Sequence, residues 1–376
     1  MTGPVEPISK GQFFMMVAVS VVAGGVYLWP QYLVASAGSN GLYALPVTTG
    51  IALVLTWLEV RWAETTQASP FLLTVRRTWG WFSWPVFLGT AVFCVAIDVI
   101  ILALFGKMLQ TFYYPNTPSW AILAVIGLTV AWVGARPLAT VARQVQFWFP
   151  LILITLLLVL ALSLSHWRFY EVLLPSPDWN IPDWFRAVVG TWFLYVNGGV
   201  VVSLTPRVRV KHPRERLKMA LWGIAFQGFI LLVLYVVVMT TLGPYGTAKL
   251  RWPIIYVFSL ISVRSFFIKG IGLLVTVIWT SALILYLAVH LFCLGWNVDT
   301  LFRQKHYRWV IGIATGIIAG LAAFIPSDLV ARALLFNWVN PADFYWTLTV
   351  IPVSVAVAWF RHRHRGRSTA GEGGNT

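Results

Sequence analysis

One carboxylate, Asp98, falls deep inside a long apolar run, Phe93-Cys94-Val95-Ala96-Ile97-Asp98-Val99-Ile100. A charge at the centre of a bilayer costs roughly 2.5–3.5 kcal/mol on insertion scales. An acid there marks either a ligand or ion pathway or a hydrogen bond that holds two helices together. Two glycine pairs, Gly24-Gly25 and Gly198-Gly199, lie 174 residues apart, and each is followed by a helix-breaking proline, Pro30 and Pro206. Unwound backbone in a membrane needs new partners for its freed N–H and C=O groups, and a polar ligand can supply them. On this reading a ligand carboxylate meets the amides of Gly24, Gly25 and Val26, at the positive end of a half-helix. Its amino group meets carbonyls from Tyr195 through Asn197 to Gly198. Close helix packing is the other use of such glycines. Thr280 and Ser281, with carbonyls near Ala23, offer sodium ligands, although hydroxyls in membrane helices usually bond their own chain.

Other chemistry-bearing residues read more plainly. His290 has no second His or Cys at metal spacing and reads as a satisfied interior histidine, so no metal is expected. Glu59 and Glu64 flank Arg61 and read as structural, and Lys107 reads as snorkelling outward. Gly312, Gly316 and Gly320 form a ridge suited to close packing against a neighbouring helix. No G-x-S-x-G, H-E-x-x-H or P-loop motif occurs, and a lone acid without an apposed base is poor material for catalysis. Neither an enzyme nor a cofactor is expected.

The elements that must position these residues follow from composition. The chain has 376 residues, 59% hydrophobic and 10% charged, against roughly 25% charged in soluble domains. This is a polytopic membrane protein, all-α, with about ten spans of ~20 residues. Cys94 and Cys293 both sit in apolar runs, which excludes a disulfide framework, and the first apolar run is unlike a signal peptide. The spans are expected near 11–36, 41–64, 80–112, 119–134, 139–165, 183–205, 214–242, 266–296, 308–325 and 342–360, with a surface helix over 70–78 and a hairpin over 253–264. Ser9-Lys10-Gly11-Gln12 reads as a capping box, and Asn180-Ile181-Pro182-Asp183 as an N-cap followed by Pro and an acid. The net charge is +15, and nineteen of the 27 Lys and Arg fall in one set of loops. That places both termini in the cytoplasm by the positive-inside rule and excludes a nucleic-acid partner. The basic loop Arg207 to Lys218 then faces the cytoplasm, towards a partner or anionic lipid.

Five helices per half is an odd number, so the second half enters the membrane inverted. The organisation is a tail (1–8), a first repeat (9–165), a second repeat (180–361) and a cytoplasmic tail (362–376). The run Gly25-Val26-Tyr27-Leu28-Trp29-Pro30 after Ile8-Ser9-Lys10-Gly11-Gln12, the span-six end at Pro206 with its basic loop, and Ile278-Trp279 in span eight resemble the spore germination permease-like B subunits. These belong to the amino acid–polyamine–organocation transporter superfamily. The resemblance implies a LeuT-like inverted five-plus-five fold with helices 1 and 6 broken. It implies a germinant receptor in the inner spore membrane, formed with an A subunit and a lipoprotein C subunit, and taking an amino acid, or in some branches a sugar or nucleoside. Tyr27 and Trp279 join the expected site on this basis. The family's acid in span six stands here as Gly199, and an Arg-x-Glu entry to span eight reads Ile268-Lys269-Gly270. The expected function is ligand sensing, with a proton- or sodium-coupled amino-acid permease as the alternative.

Overall fold

The computed structural model describes residues 6–22, 28–168, 174, 175, 177, 179–260, 271–302 and 307–372. The first span is represented by α1 (Lys10–Val22) and α2 (Trp29–Ala37); the expected break at Gly24-Gly25 lies outside the described residues. There follow α3 (Gly41–Thr66), α4 (Phe71–Trp79), α5 (Ser83–Phe112), α6 (Ser119–Gly134) and α7 (Leu138–Ser163). The second half begins with α8 (Ile181–Gly190) and α9 (Val200–Leu204), the two pieces of the sixth span. It continues with α10 (Arg214–Lys249), α11 (Pro253–Leu260), α12 (Ile271–Phe302), α13 (Tyr307–Phe324), α14 (Asp328–Leu334) and α15 (Asn340–Glu372). Among the described residues eight helical stretches are long and apolar enough to cross a membrane, and α6 is a shorter apolar helix. With α1 as the start of the first span, these account for the ten expected spans.

Helices are the outcome because hydrocarbon offers no partner for backbone groups, so each segment must satisfy its own. Burial then separates their roles. The window covering the sixth span is 94% buried inside the protein, whereas those of α7 and α13 are 22% buried. The broken helix is the centre of the bundle and α7 and α13 are its lipid-facing wall. Both expected starts carry their caps. Gln12 N donates to Ser9 Oγ at 3.2 Å while Ser9 N donates to Gln12 Oε1 at 3.0 Å, a reciprocal capping box. Asp183 N donates to Asn180 Oδ1 at 3.4 Å, and Asp183 places its charge in the first turn of α8.

Several expectations are corrected. The helix α4 is no surface element: Phe71, Leu72, Thr74, Val75 and Thr78 are buried. Leu72 N donates to Asn297 Oδ1 at 2.7 Å and Phe71 N to Ser203 Oγ at 3.0 Å, which seats the start of α4 between α12 and α9. Its apolar stripe faces the protein because two arginines occupy the other face. The seventh span runs on to Lys249 past a break at Gly243 (φ 70°) and Pro244. The short helix α14, absent from the sequence reading, is started by Ser327, whose Oγ accepts from Val330 N at 3.3 Å. Among the described residues the glycine ridge on α13 has no internal neighbour: a Cβ at Gly312, Gly316 or Gly320 has no heavy atom within 4 Å.

One small feature joins the two halves. Residues Ile8–Ser9 (β1), just before α1, pair in parallel with Val208–Arg209 (β2), just after α9. Lys10 Nζ adds an ion pair to Glu215 Oε2 at 3.1 Å. The start of α1 is thus tied to the exit of the broken sixth helix.

The contrast between glycines gives a test. Gly199 has φ 79°, and a Cβ there would lie 2.9 Å from Phe71 Cγ. The left-handed conformation costs about 1–2 kcal/mol for a residue with a side chain, and the contact adds to it. Gly199→Ala should therefore lower the apparent melting temperature of the detergent-extracted protein, followed by size-exclusion recovery after heating. Gly316→Ala should leave it unchanged or raise it, since alanine is favoured in a helix by about 1 kcal/mol.

Candidate functional site at the break of the sixth helix

The sixth span stops being helical at its middle. After α8 the chain makes a tight turn over Trp192–Tyr195, extends through Val196, and passes Gly198 (φ 54°) and Gly199 (φ 79°) before α9 begins. Both glycines are required. A Cβ at Gly198 would collide with Cys94 Sγ, and Gly199 lies against Phe71.

Asn197 supplies partners for the backbone freed by the break, through its side chain and its own carbonyl. Asn197 Oδ1 accepts from Gly199 N at 3.0 Å, and Val200 N donates to Asn197 O at 2.8 Å. The amide of Asn197 in turn donates to Glu59 Oε2 at 3.1 Å. Upstream, Tyr195 Oη and Thr49 Oγ1 share a hydrogen bond of 2.7 Å, and Thr191 Oγ1 bonds Thr48 Oγ1 at 3.0 Å. The second span, α3, thus carries the polar partners of the break.

Beside the break lies a cavity of about 40 Å³. Its walls are the Tyr195–Gly199 segment, the Ala52, Leu55, Thr56 and Glu59 stripe of α3, and the Asp343, Trp346, Thr347 and Val350 stripe of α15, with Trp192 between them. Two carboxylates face it, Glu59 (5% exposed) and Asp343 (3% exposed). Trp192 Nε1 donates to Asp343 Oδ2 at 2.8 Å, and Thr347 Oγ1 to Asp343 Oδ1 at 3.5 Å. Buried acids walled by indole rings are the chemistry that holds an ammonium group: the carboxylates take its hydrogen bonds and the ring faces its charge.

Asp98 is therefore not the only deep carboxylate. Glu59 reads as structural in the sequence because Arg61 is near, but Arg61 pairs with Glu64 at 3.6 Å. Asp343 falls at the start of the span expected over 342–360 and is not singled out by the sequence. A sequence signal did exist: 52, 55, 56, 59 and 343, 346, 347, 350 are each one helical face with polar groups on it.

Asp98 belongs to a second cluster behind Gly198. His290 Nδ1, on α12, lies 3.0 Å from Asp98 Oδ1, and His290 Nε2 donates to the Ser20 carbonyl of α1 at 3.1 Å. Cys94 Sγ is 3.6 Å from His290 Nδ1 and 3.9 Å from Asp98 Oδ2. Both ring nitrogens of the histidine thus have polar neighbours; the cysteine beside it is not visible in sequence spacing because it comes from another helix.

The remaining expected site residues are placed as follows. Gly24, Gly25, Val26 and Tyr27 lie outside the described residues. Tyr195, Asn197, Gly198 and Gly199 share the cavity. Trp279 does not join them; it packs edge-on against Phe258 and lines an apolar cleft with Phe226 and Ile230. Thr280 Oγ1 and Ser281 Oγ donate to the carbonyls of Thr276 and Val277, one turn back on the same helix, at 2.7 and 3.1 Å. The hydroxyls of Thr280 and Ser281 are used within α12 and the Trp279 ring on Phe258, and none of the three lines the cavity at the break.

The overall fold is shared with solved transporters. MhsT in complex with L-phenylalanine superposes with a TM-score of 0.65 at 14% identity, covering 94% of this chain and 99% of that one. Mhp1, a nucleobase-cation-symport-1 family transporter in a closed conformation with bromovinylhydantoin bound, gives 0.61 at 14% identity over 89% and 78%. The inverted five-plus-five architecture, with its sixth helix broken, is thus that of LeuT-like transporters. Among curated proteins, spore germination protein YndE of Bacillus subtilis (strain 168) is 21% identical over 328 residues, 83% of this chain and 86% of its own length. The model of the spore germination protein family, the spore permeases, matches residues 7–329. This integral membrane chain belongs to that family of permease-like germination proteins.

Proposed function

We propose that the chain is the ligand-sensing subunit of a spore germinant receptor, and that it binds a small amine-bearing germinant, an amino acid, at the break of the sixth helix. The observation that carries this reading is the pairing of Glu59 and Asp343 on one cavity, bounded by backbone already out of helix. The acid that the resemblance expects in span six, replaced by Gly199, has a counterpart in Glu59, which reaches the same segment from α3. Glu59 and Asp343 hold the amino group. The carboxylate end is assigned to the amides of Gly24 to Val26 on sequence grounds alone.

The size of the cavity bears on mechanism. About 40 Å³ is room for a few waters, at roughly 10–15 Å³ each, and an amino acid is larger. Binding therefore requires α15 or the broken helix to move away from α3. A ligand that fits only the opened arrangement shifts the population towards it, which is what sensing requires. Asn197 couples the ligand acid Glu59 to the backbone of the break, so the movement reaches α9 and the β1–β2 pair. The A and C subunits of a germinant receptor are the partners this reading needs, with the basic loop Arg207 to Lys218 on the cytoplasmic side of the inner spore membrane.

The same geometry serves a permease, and the likeness to solved transporters favours that as the second reading. Sealed liposomes separate the two. Labelled amino acids offered with a proton or sodium gradient should bind without uphill accumulation; accumulation that an ionophore collapses would establish the permease.

Glu59→Gln and Asp343→Asn should each weaken binding of the responding amino acid about tenfold to a hundredfold, the loss of one hydrogen bond to a charged group. Thr280→Ala and Ser281→Ala should leave it unchanged. Calorimetry on protein in nanodiscs measures this, and unchanged affinity in both acid variants rejects the site. A cysteine placed at the exposed Lys211 should be labelled by an impermeant maleimide only from the cytoplasmic face; labelling from outside would invert the assigned topology.

A further inference from the structure

We infer that Cys94, Asp98 and His290 form a binding site for a divalent transition-metal ion, Zn²⁺ by the chemistry of its donors, wedged behind the break of the sixth helix. The three donor atoms all lie within 4.8 Å of one another. They come from two helices: Cys94 and Asp98 are one turn apart on α5, and His290 faces them from α12. The separations are 3.6 Å from sulfur to Nδ1, 3.4 Å from Nδ1 to Asp98 Oδ2, and 3.9 Å from sulfur to the same oxygen. Tetrahedral zinc, with sulfur at about 2.3 Å and nitrogen or oxygen at about 2.0–2.1 Å, sets such donors roughly 3.3–3.6 Å apart. The cluster needs an adjustment of a few tenths of an ångström on one edge.

Hydrogen-bond accounting points the same way. A carbonyl only accepts, so the 3.1 Å contact to Ser20 O puts the imidazole proton on Nε2. In the neutral ring Nδ1 then presents a lone pair to an Asp98 carboxylate that also presents lone pairs. Two acceptors at this distance require something positive between them. A proton satisfies that pair and leaves the thiol only a long 3.9 Å contact to Asp98 Oδ2; a metal ion uses all three groups as ligands. Ser20 O meanwhile does what backbone carbonyls do behind metal-bound histidines, fixing the tautomer and the ring orientation.

Charge and space also fit. A thiolate, a carboxylate and a neutral imidazole around a divalent ion sum to zero, the least costly charge state for a buried site. The side chains of Asp98 and His290 are 2% and 1% exposed, so an unbalanced arrangement there is expensive. A cavity of about 20 Å³ adjoins all three donors and is also lined by Thr90, Gly198 and Asn297. That is space for one water, the fourth ligand of a tetrahedral ion. Gly198 makes the room, since a Cβ there would collide with Cys94 Sγ. The ion would tie α5 to α12, and through Ser20 to α1, at the back of the ligand cavity.

The full chain is expressed in zinc-depleted medium supplied with cobalt, so that the ion enters as the protein folds, and is purified in detergent under reducing conditions. The expected result is one cobalt per chain, a near-ultraviolet thiolate-to-cobalt charge-transfer band and the intense visible bands of tetrahedral cobalt. Cys293→Ser, which removes the only other cysteine, should keep the charge-transfer band. Cys94→Ser should lose it, and His290→Gln should retain less than a tenth of the metal. Absence of the band from the wild-type protein, or a band lost with Cys293 rather than Cys94, overturns the site and leaves a histidine–aspartate pair sharing a proton. The wild-type spectrum decides even if a ligand variant fails to fold. None of these readouts depends on germinant binding.

Discussion

Backbone that leaves the helix inside a membrane must find its hydrogen bonds within the protein, and the sixth span does so through Asn197. Its side chain accepts from Gly199 N and donates to Glu59, closing a short chain of bonds from the break to the second span. Most of the site depends on that link. It holds Gly198 and Gly199 in conformations that only glycine takes without strain, fixes the direction of α9, and orients a buried carboxylate towards the cavity. In hydrocarbon each unsatisfied backbone group costs several kcal/mol, so the break persists because its partners are specified.

The cavity and the cluster at Asp98 sit on opposite sides of the same two glycines. Gly199 packs on Phe71 at the start of α4, and Gly198 on Cys94 in the middle of α5. Neither neighbour can be enlarged without moving the break. This explains why α4 is buried despite its two arginines: Phe71 and Leu72 spend their amides on Ser203 and Asn297 and so brace α9 against α12. The β1–β2 pair carries the connection onward to the start of α1. A movement at the break has a continuous path of packed and hydrogen-bonded groups to the end of α9 and the start of α1, which is the physical basis on which two sites in this fold can be coupled.

Two surfaces show how a membrane changes ordinary expectations. The ridge of Gly312, Gly316 and Gly320 has the spacing of a helix-packing motif, yet it faces outward beside Ile313 and Ile317. In water such a stripe would be covered. In lipid an apolar face is as well solvated outside as inside, so spacing alone does not say which side it takes. The same ambiguity hid Asp343, whose stripe on α15 turns inward although its neighbours Leu348 and Val353 are exposed.

What depends on neighbours along the chain could be read from the order of residues alone. Apolar run lengths set the spans, because a bilayer forces each segment to satisfy its own backbone. Ser9 with Gln12 and Asn180 with Asp183 set two helix starts through bonds spanning three residues. The second glycine pair marked a break because positive φ is a local property. Only the tertiary structure decided which faces of these helices meet. Glu59 and Asp343, 284 positions apart in the chain, share a cavity, and Cys94 finds His290 across 196. Trp279, Thr280 and Ser281, placed at the site by their span, turn away from it. The physical reason is rotational phase: with hydrocarbon outside and apolar side chains within, a membrane helix carries little asymmetry to say which way each residue points, and that is settled only when the helices pack.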